Sequence, residues 1–227
     1  MVLSNFIRAI AICGALLVTS SLYAEDNRAV RFDMRDGGLR NLVQFTSDAP
    51  LEKVVGVSNT LAGWLTLDPE RLQDGIRGEF EADVRTFETG MPSRNEQLRD
   101  VILNASAHPV ATFKIDRVVA TSKPRLVEGA PTLVRLEGSL KIRGVTRPQL
   151  VIAKLSYFRE SPTTRQRLPG NLLKVSATLD VDTEQFQITM PAGFQALMAR
   201  YVQITVDMVG SDRIPARVSE RKSASSP

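Results

Sequence analysis

The sequence predicts an all-β fold, an antiparallel barrel or sandwich of about eight strands. Three observations predict it. Apolar and polar residues alternate with period two in four clean stretches. Each stretch has one dry face and one wet face, as antiparallel sheets do, and is not a continuous apolar run. Most stretches also follow one another with no helical pattern between them.

In chain order, residues 28–34 and 42–46 are short candidate strands, and 54–67 is a longer one with a bend expected at Gly63. Residues 77–87 put Gly78, Phe80, Ala82, Val84 and Thr86 on one face and Arg77, Glu79, Glu81, Asp83 and Arg85 on the other. A helix follows. Ser93 and Glu96 have capping-box spacing, and Leu98, Val101 and Ile102 recur at helical spacing. Pro109 forbids its continuation, and the residue before a proline is biased to extended geometry. His108, the one histidine, therefore reads as a joint between this helix and a strand over 110–121. Residues 134–143 alternate through Val134, Leu136, Gly138, Leu140 and Ile142, and a weaker strand covers 149–159. Residues 173–182 alternate through Leu173, Val175, Ala177, Leu179 and Val181. A short helical stretch with Phe194, Leu197 and Met198 on one side precedes a last strand through Val202, Ile204, Val206 and Met208.

The first 24 residues read as a secretory signal. They hold Arg8, an apolar stretch over 9–18 and the end Leu22-Tyr23-Ala24, so cleavage is expected after Ala24. The apolar stretch is short for a membrane span of about 20 residues. Cys13 leaves with the signal, so the exported chain needs neither disulfides nor a cysteine metal cluster. Removing 1–24 leaves 28 basic against 25 acidic residues, a mild +3. No basic stripe interleaves with aromatics, so no nucleic-acid partner is expected. The loop over 160–171 reads as loose and 211–227 as a disordered basic tail, whose basic residues suggest a transient contact with the membrane surface. Oligomeric state is not legible.

Reactive chemistry finds no support. A serine hydrolase needs a base, and His108 stands without a Gly-x-Ser-x-Gly elbow. One histidine and no mature cysteine do not make a zinc site. Residues 180–185 open like a calcium loop, but Gln185 and Pro191 occupy the positions that should be Gly and Glu. No phosphate-binding Gly loop occurs. The chain is therefore expected to have no catalytic residues, no metal and no cofactor. The small inward residues Gly78, Ala82, Gly138 and Ala177 have two readings: accommodation of bulky neighbours, or a lumen left open for an apolar ligand. An eight-stranded barrel lies between those cases.

Two stretches bring a resemblance. Residues 89–115 carry Thr89, Gly90, Arg94, Leu98, Arg99, Pro109, Thr112 and Phe113, and residues 136–149 carry Gly138, Leu140, Ile142, Gly144, Val145, Thr146 and Pro148. Phe186 with Ile188 adds a weaker third match. In this order they resemble the YceI-like family, exported lipocalin-like proteins with polyisoprenoid-binding members. The sequence departs from that pattern at Gln97, where relatives often carry His, at Ile102-Leu103, in place of an aromatic pair, and at Gln187, in place of Gly.

The resemblance implies an antiparallel lipocalin-like barrel over 25–210 with one or two short capping helices. It also implies a periplasmic, non-enzymatic carrier with a polyisoprenoid or quinone as ligand. Expected lumen contacts are Phe80, Ala82, Val84, Phe113, Ile115, Val134, Leu136, Leu140, Ile142, Val175 and Leu179, with Arg94 and Arg99 as headgroup candidates. The alternative is an envelope protein with a filled barrel that acts through protein–protein contacts, for example as an accessory to a membrane complex.

Overall fold

Among the described residues, one sheet of ten strands closes on itself. The computed structural model describes residues 28–189, 193 and 195–213. The strands are β1 (Val30–Asp33), β2 (Leu42–Asp48), β3 (Lys53–Ser58), β4 (Leu61–Leu67), β5 (Ile76–Asp83), β6 (Val110–Thr121), β7 (Thr132–Ile142), β8 (Val145–Phe158), β9 (Leu172–Asp182) and β10 (Tyr201–Ser211). Their order is β1-β4-β5-β6-β7-β8-β9-β10-β2-β3, and β1 also meets β10 through Asp33 and Ser211.

The ten strands make eight staves. Val30 pairs with Leu67, Asp33 with Trp64, Val43 with Ser58 and Asp48 with Lys53. So β1 and β2 lie along one stave, and β3 and β4 along the next. The result is a closed antiparallel lipocalin-like barrel. Buried Asn41 holds the first break: its amide donates to the Met34 and Leu61 carbonyls and accepts from the Val209 N–H. The second break falls at Asn59-Thr60 and not at Gly63. There the hydroxyls of Ser58, Thr60 and Thr86 close a ring with contacts of 2.7 to 3.0 Å. Gly63 has another task. A Cβ there would lie 2.4 Å from the Glu79 carbonyl oxygen, so glycine lets β4 approach β5.

Local chemistry sets the other joints. Arg143 and Gly144 both take positive φ, 51° and 78°, and form the two-residue hairpin turn whose twist suits the flanking strands. β8 then runs through Pro148, because its pairing with β9 begins only at Ile152 and the proline lies before it. Strand β5 stops at Asp83, whose side chain accepts from the Arg85 N–H and turns the chain into a 3₁₀ turn over Val84–Thr86.

Helix α1 (Pro92–Glu96) has Met91 as its N-cap and Pro92 in its first turn. The expected capping box is therefore not formed: proline presets φ and starts the helix ahead of Ser93. α1 continues as a widened π-type stretch over Gln97–Ile102, with the Leu103 N–H donating to the Leu98 carbonyl at 2.9 Å. A single 3₁₀ turn over Gln195–Leu197 stands where the second helical stretch was expected, and Phe194 lies outside the described residues.

The expected signal over 1–24 and the tail from 214 onward also lie outside the described residues. The barrel continues past residue 210. Buried Ser211 completes β10, Asp212 accepts from Asn171, and Arg213 pairs with Glu160 at 2.9 Å. The loop over 160–171 is pinned by those contacts and by Arg167, whose guanidinium lies 2.7 Å from the buried carboxylate of Asp36.

One end of the barrel is filled. Phe32, Leu67, Leu72, Leu155 and Leu173 are at most 1% exposed, and Tyr157 packs its ring edge-on to Phe32 at 6.3 Å. The opposite end carries α1, the π-type stretch and the turn over Gln195–Leu197.

Candidate functional site

The barrel is hollow in its other half. A cavity of about 450 Å³ is bounded by inward side chains of β2 to β10 and by the helical segment. That volume lies within the range of about 300–1,000 Å³ typical of ligand pockets. Its floor is made by Leu65, Ile76, Leu136, Leu155 and Met208. Above the floor, inward residues such as Phe45, Phe80, Ile204 and Val206 are only partly buried, because they face the void.

Alanines open the space and glycines do not. Ala82 pairs with Ala111 across β5 and β6, and Ala153 with Ala177 across β8 and β9; all four line the cavity. The glycines instead receive neighbouring side chains and backbone. A Cβ on Gly138 would lie 2.4 Å from the Phe113 ring, and one on Gly78 would lie 2.7 Å from the Trp64 carbonyl oxygen. Both readings of the small inward residues thus hold, at different positions.

Ten of the expected lumen residues line the cavity: Phe80, Ala82, Val84, Phe113, Ile115, Leu136, Leu140, Ile142, Val175 and Leu179. Val134 does not. It points inward, but at the filled end, where it is 1% exposed within the core. Period-two alternation reports the face of a residue, and its depth along the barrel is a separate matter.

The sequence reading missed the walls from β2, β3 and β10, including Val43, Phe45, Val54, Val202 and Ile204. Their alternation was visible in β10 and weak in β2 and β3. It also missed the contribution of the helix. Val101, Ile102 and Leu103 all line the cavity although consecutive. Successive residues of an α-helix lie about 100° apart, and the widened turn spreads the chain along the opening.

The polar residues of the wall gather at the helix end. Gln97 and Val101 belong both to the wall and to the exposed surface, which places the mouth there among the described residues. Arg94 lines the mouth. Its guanidinium pairs with Glu52, donates to the Thr89 hydroxyl at 3.0 Å and donates to the Thr89 carbonyl at 2.8 Å. Buried Asn95 accepts from the Thr89 N–H and hydroxyl at 2.8 and 2.7 Å. Arg99 is not part of the wall. It turns toward Glu88, 3.7 Å away, on the outside of the helical segment. Two carboxylates brace this end: Asp83 is held below the usual carboxylate range by its hydrogen bond from Arg85, and Asp182 likewise by Arg200.

His108 lies outside the cavity wall, past the helical segment, with its ring against Gly144 in the β7–β8 turn. Among the described residues, no group of three or more His, Cys, Asp or Glu is disposed to hold a metal.

A family model for the YceI-like domain covers residues 39–210. The chain belongs to the YceI-like family. Among functionally curated proteins none matches the sequence. Solved structures share the YceI-like fold at low identity. One is BcnA of Burkholderia cenocepacia, with a TM-score of 0.57 and 17% identity over 75% of this chain and 96% of that one. A second is a polyisoprenoid binding domain from Saccharophagus degradans, with a TM-score of 0.57 and 15% identity over 80% of this chain and 98% of that one. A third is the YceI protein of Campylobacter jejuni, with a TM-score of 0.54 and 12% identity over 68% of this chain and 82% of that one. At these identities the likeness is one of fold.

Proposed function

We propose that this YceI-like protein is a non-enzymatic periplasmic carrier that holds a long isoprenoid lipid or quinone in its barrel. The observation that carries the reading is the carbon-lined cavity of about 450 Å³, closed at one end by packed side chains and bordered at the other by polar ones. Burial alone provides the driving force. Each methylene removed from water contributes about 0.8 kcal/mol. Several isoprene units therefore offset a capture cost on the order of 4–15 kcal/mol. The polyisoprenoid-binding description of the Saccharophagus degradans neighbour supports the same class of ligand. The void favours this reading over an envelope protein with a filled barrel that acts through its surface.

The test is native mass spectrometry of the protein purified from its own cells, followed by extraction and identification of the bound lipid. A stoichiometric apolar ligand is expected. A clean unliganded mass, with no uptake of added quinone or prenol, would overturn the reading.

A further inference from the structure

We infer that the outer wall formed by β6, β7 and β8 docks on an anionic phospholipid surface. The inference stands apart from the lumen reading, because the side chains that carry it do not line the cavity.

The wet face of an antiparallel sheet is normally polar. This one carries large apolar residues: Ile152 is 57% exposed, Leu133 52% and Leu150 45%. Their partners across β7 and β8 are charged. Leu133 stands opposite Lys154, Ile152 opposite Arg135 and Leu150 opposite Glu137. Val119, also exposed, extends the apolar set onto β6 at the irregularity between Val118 and Ala120.

Charge is unevenly spread over the molecule. Residues 28–213 include 25 basic and 22 acidic ones, an excess of three. The β6–β8 wall turns Lys114, Arg117, Arg135, Lys141 and Lys154 outward against Asp116 and Glu137, also an excess of three. Three strands thus carry a positive excess equal to that of the whole segment. Both carboxylates are engaged, Glu137 by Arg117 at 2.7 Å and Asp116 by the Ser139 hydroxyl at 2.8 Å. The side chains of Arg135, Lys141 and Lys154 have no partner among the described residues. The cationic zone ends at β5, which turns Glu79 and Glu81 outward and sets Glu79 opposite Lys114.

Free cations beside exposed aliphatic chains suit one partner chemistry. Ammonium and guanidinium groups meet lipid phosphates, while Leu133, Leu150 and Ile152 enter the layer beneath them. A bilayer with anionic lipids attracts such a patch and, being fluid, conforms to the convex wall of a barrel. A protein partner would have to supply both matching carboxylates and a concave apolar seat.

The experiment is co-sedimentation of the whole mature protein with vesicles of phosphatidylcholine alone and of phosphatidylcholine mixed with phosphatidylglycerol. Binding to the mixed vesicles is expected to be at least about tenfold stronger and to weaken as salt is added. Arg135→Gln with Lys154→Gln is expected to lose about tenfold of it. Lys53→Gln with Arg77→Gln removes the same charge from other walls and is expected to bind nearly as well as the unaltered protein. Leu150→Ser with Ile152→Ser, which keeps every charge, is expected to lose about tenfold as well. All these positions lie in exposed strands, and every protein compared keeps the tail from 214 onward. Equal binding to the two vesicles, or binding to neither, overturns the inference. Equal losses for the two charge variants overturn it too, because net charge and not this wall would then be responsible. Unchanged binding by the Leu150 and Ile152 variant overturns insertion of the apolar residues. Uptake of a prenol from solution, measured on the same variants, is expected to be unchanged, so failure of the docking wall and failure of the lumen reading are separate results.

Discussion

The Phe113 ring lies across Gly138, so close that a methyl group at position 138 would sit 2.4 Å from its Cζ and 2.5 Å from the Lys114 carbonyl oxygen. One contact partner is backbone and cannot rotate away. Gly138→Ala must therefore shift β6 or drive Phe113 into the cavity. Overpacking of this kind costs about 1–3 kcal/mol. Denaturant unfolding is expected to show that loss, together with weaker uptake of an apolar ligand.

The two halves of the barrel should answer truncation differently. Leu173 is fully buried in the filled end and outside the cavity wall, whereas Leu179 faces the void. Leu173→Ala leaves a new hole in packed surroundings and is expected to cost about 2–5 kcal/mol. Leu179→Ala enlarges an existing space and is expected to cost about 1 kcal/mol. Equal losses for the two variants in urea unfolding would mean that the cavity half is as tightly packed as the filled end.

Acid should loosen the mouth. The Asp182 carboxyl is held low by Arg200, and Asp83 by Arg85. In the unfolded chain these groups take up protons near pH 4; in the folded one they do so only at lower pH. The stability they contribute is therefore complete above the ordinary carboxylate range and lost as pH falls through the folded values. Asp182→Asn is expected to melt at lower temperature than the unaltered protein at neutral pH. The difference should close as the solution is taken well below pH 4. A difference that grows on acidification would contradict the pairing.

His108 packs against Gly144 and lies outside the cavity wall. His108→Gln is accordingly expected to leave lipid uptake unchanged in a binding titration. Loss of uptake in a folded variant would require a role for this ring that its position does not suggest.

The pattern of side chains carried much of this architecture. β6 matches the expected strand over 110–121, and β9 differs from its expectation by one residue, because an unbroken alternation is the direct imprint of a half-buried strand. Three features were hidden for physical reasons. Ser93 and Glu96 have the spacing of a cap, but Pro92 starts the helix first. The stave break at Asn59-Thr60 depends on Thr86, 26 residues beyond Thr60, and no local pattern reports such a partner. The depth of Val134 depends on which end of the barrel its neighbours fill. The candidate site was legible in the same way: which residues face inward could be read, but the ion pair of Arg94 with Glu52 joins segments 42 positions apart.

The most direct test of a hollow, ligand-accepting barrel is to fill it. Ala82 and Ala177 line the cavity from different strands, and each leaves room for a larger side chain to enter the void. Uptake of a long prenol by Ala82→Trp and Ala177→Trp should be measured by native mass spectrometry, with circular dichroism to establish folding. Both variants are expected to fold and to lose uptake that the unaltered protein retains. Folded variants that take up the prenol as fully as the unaltered protein would contradict the account.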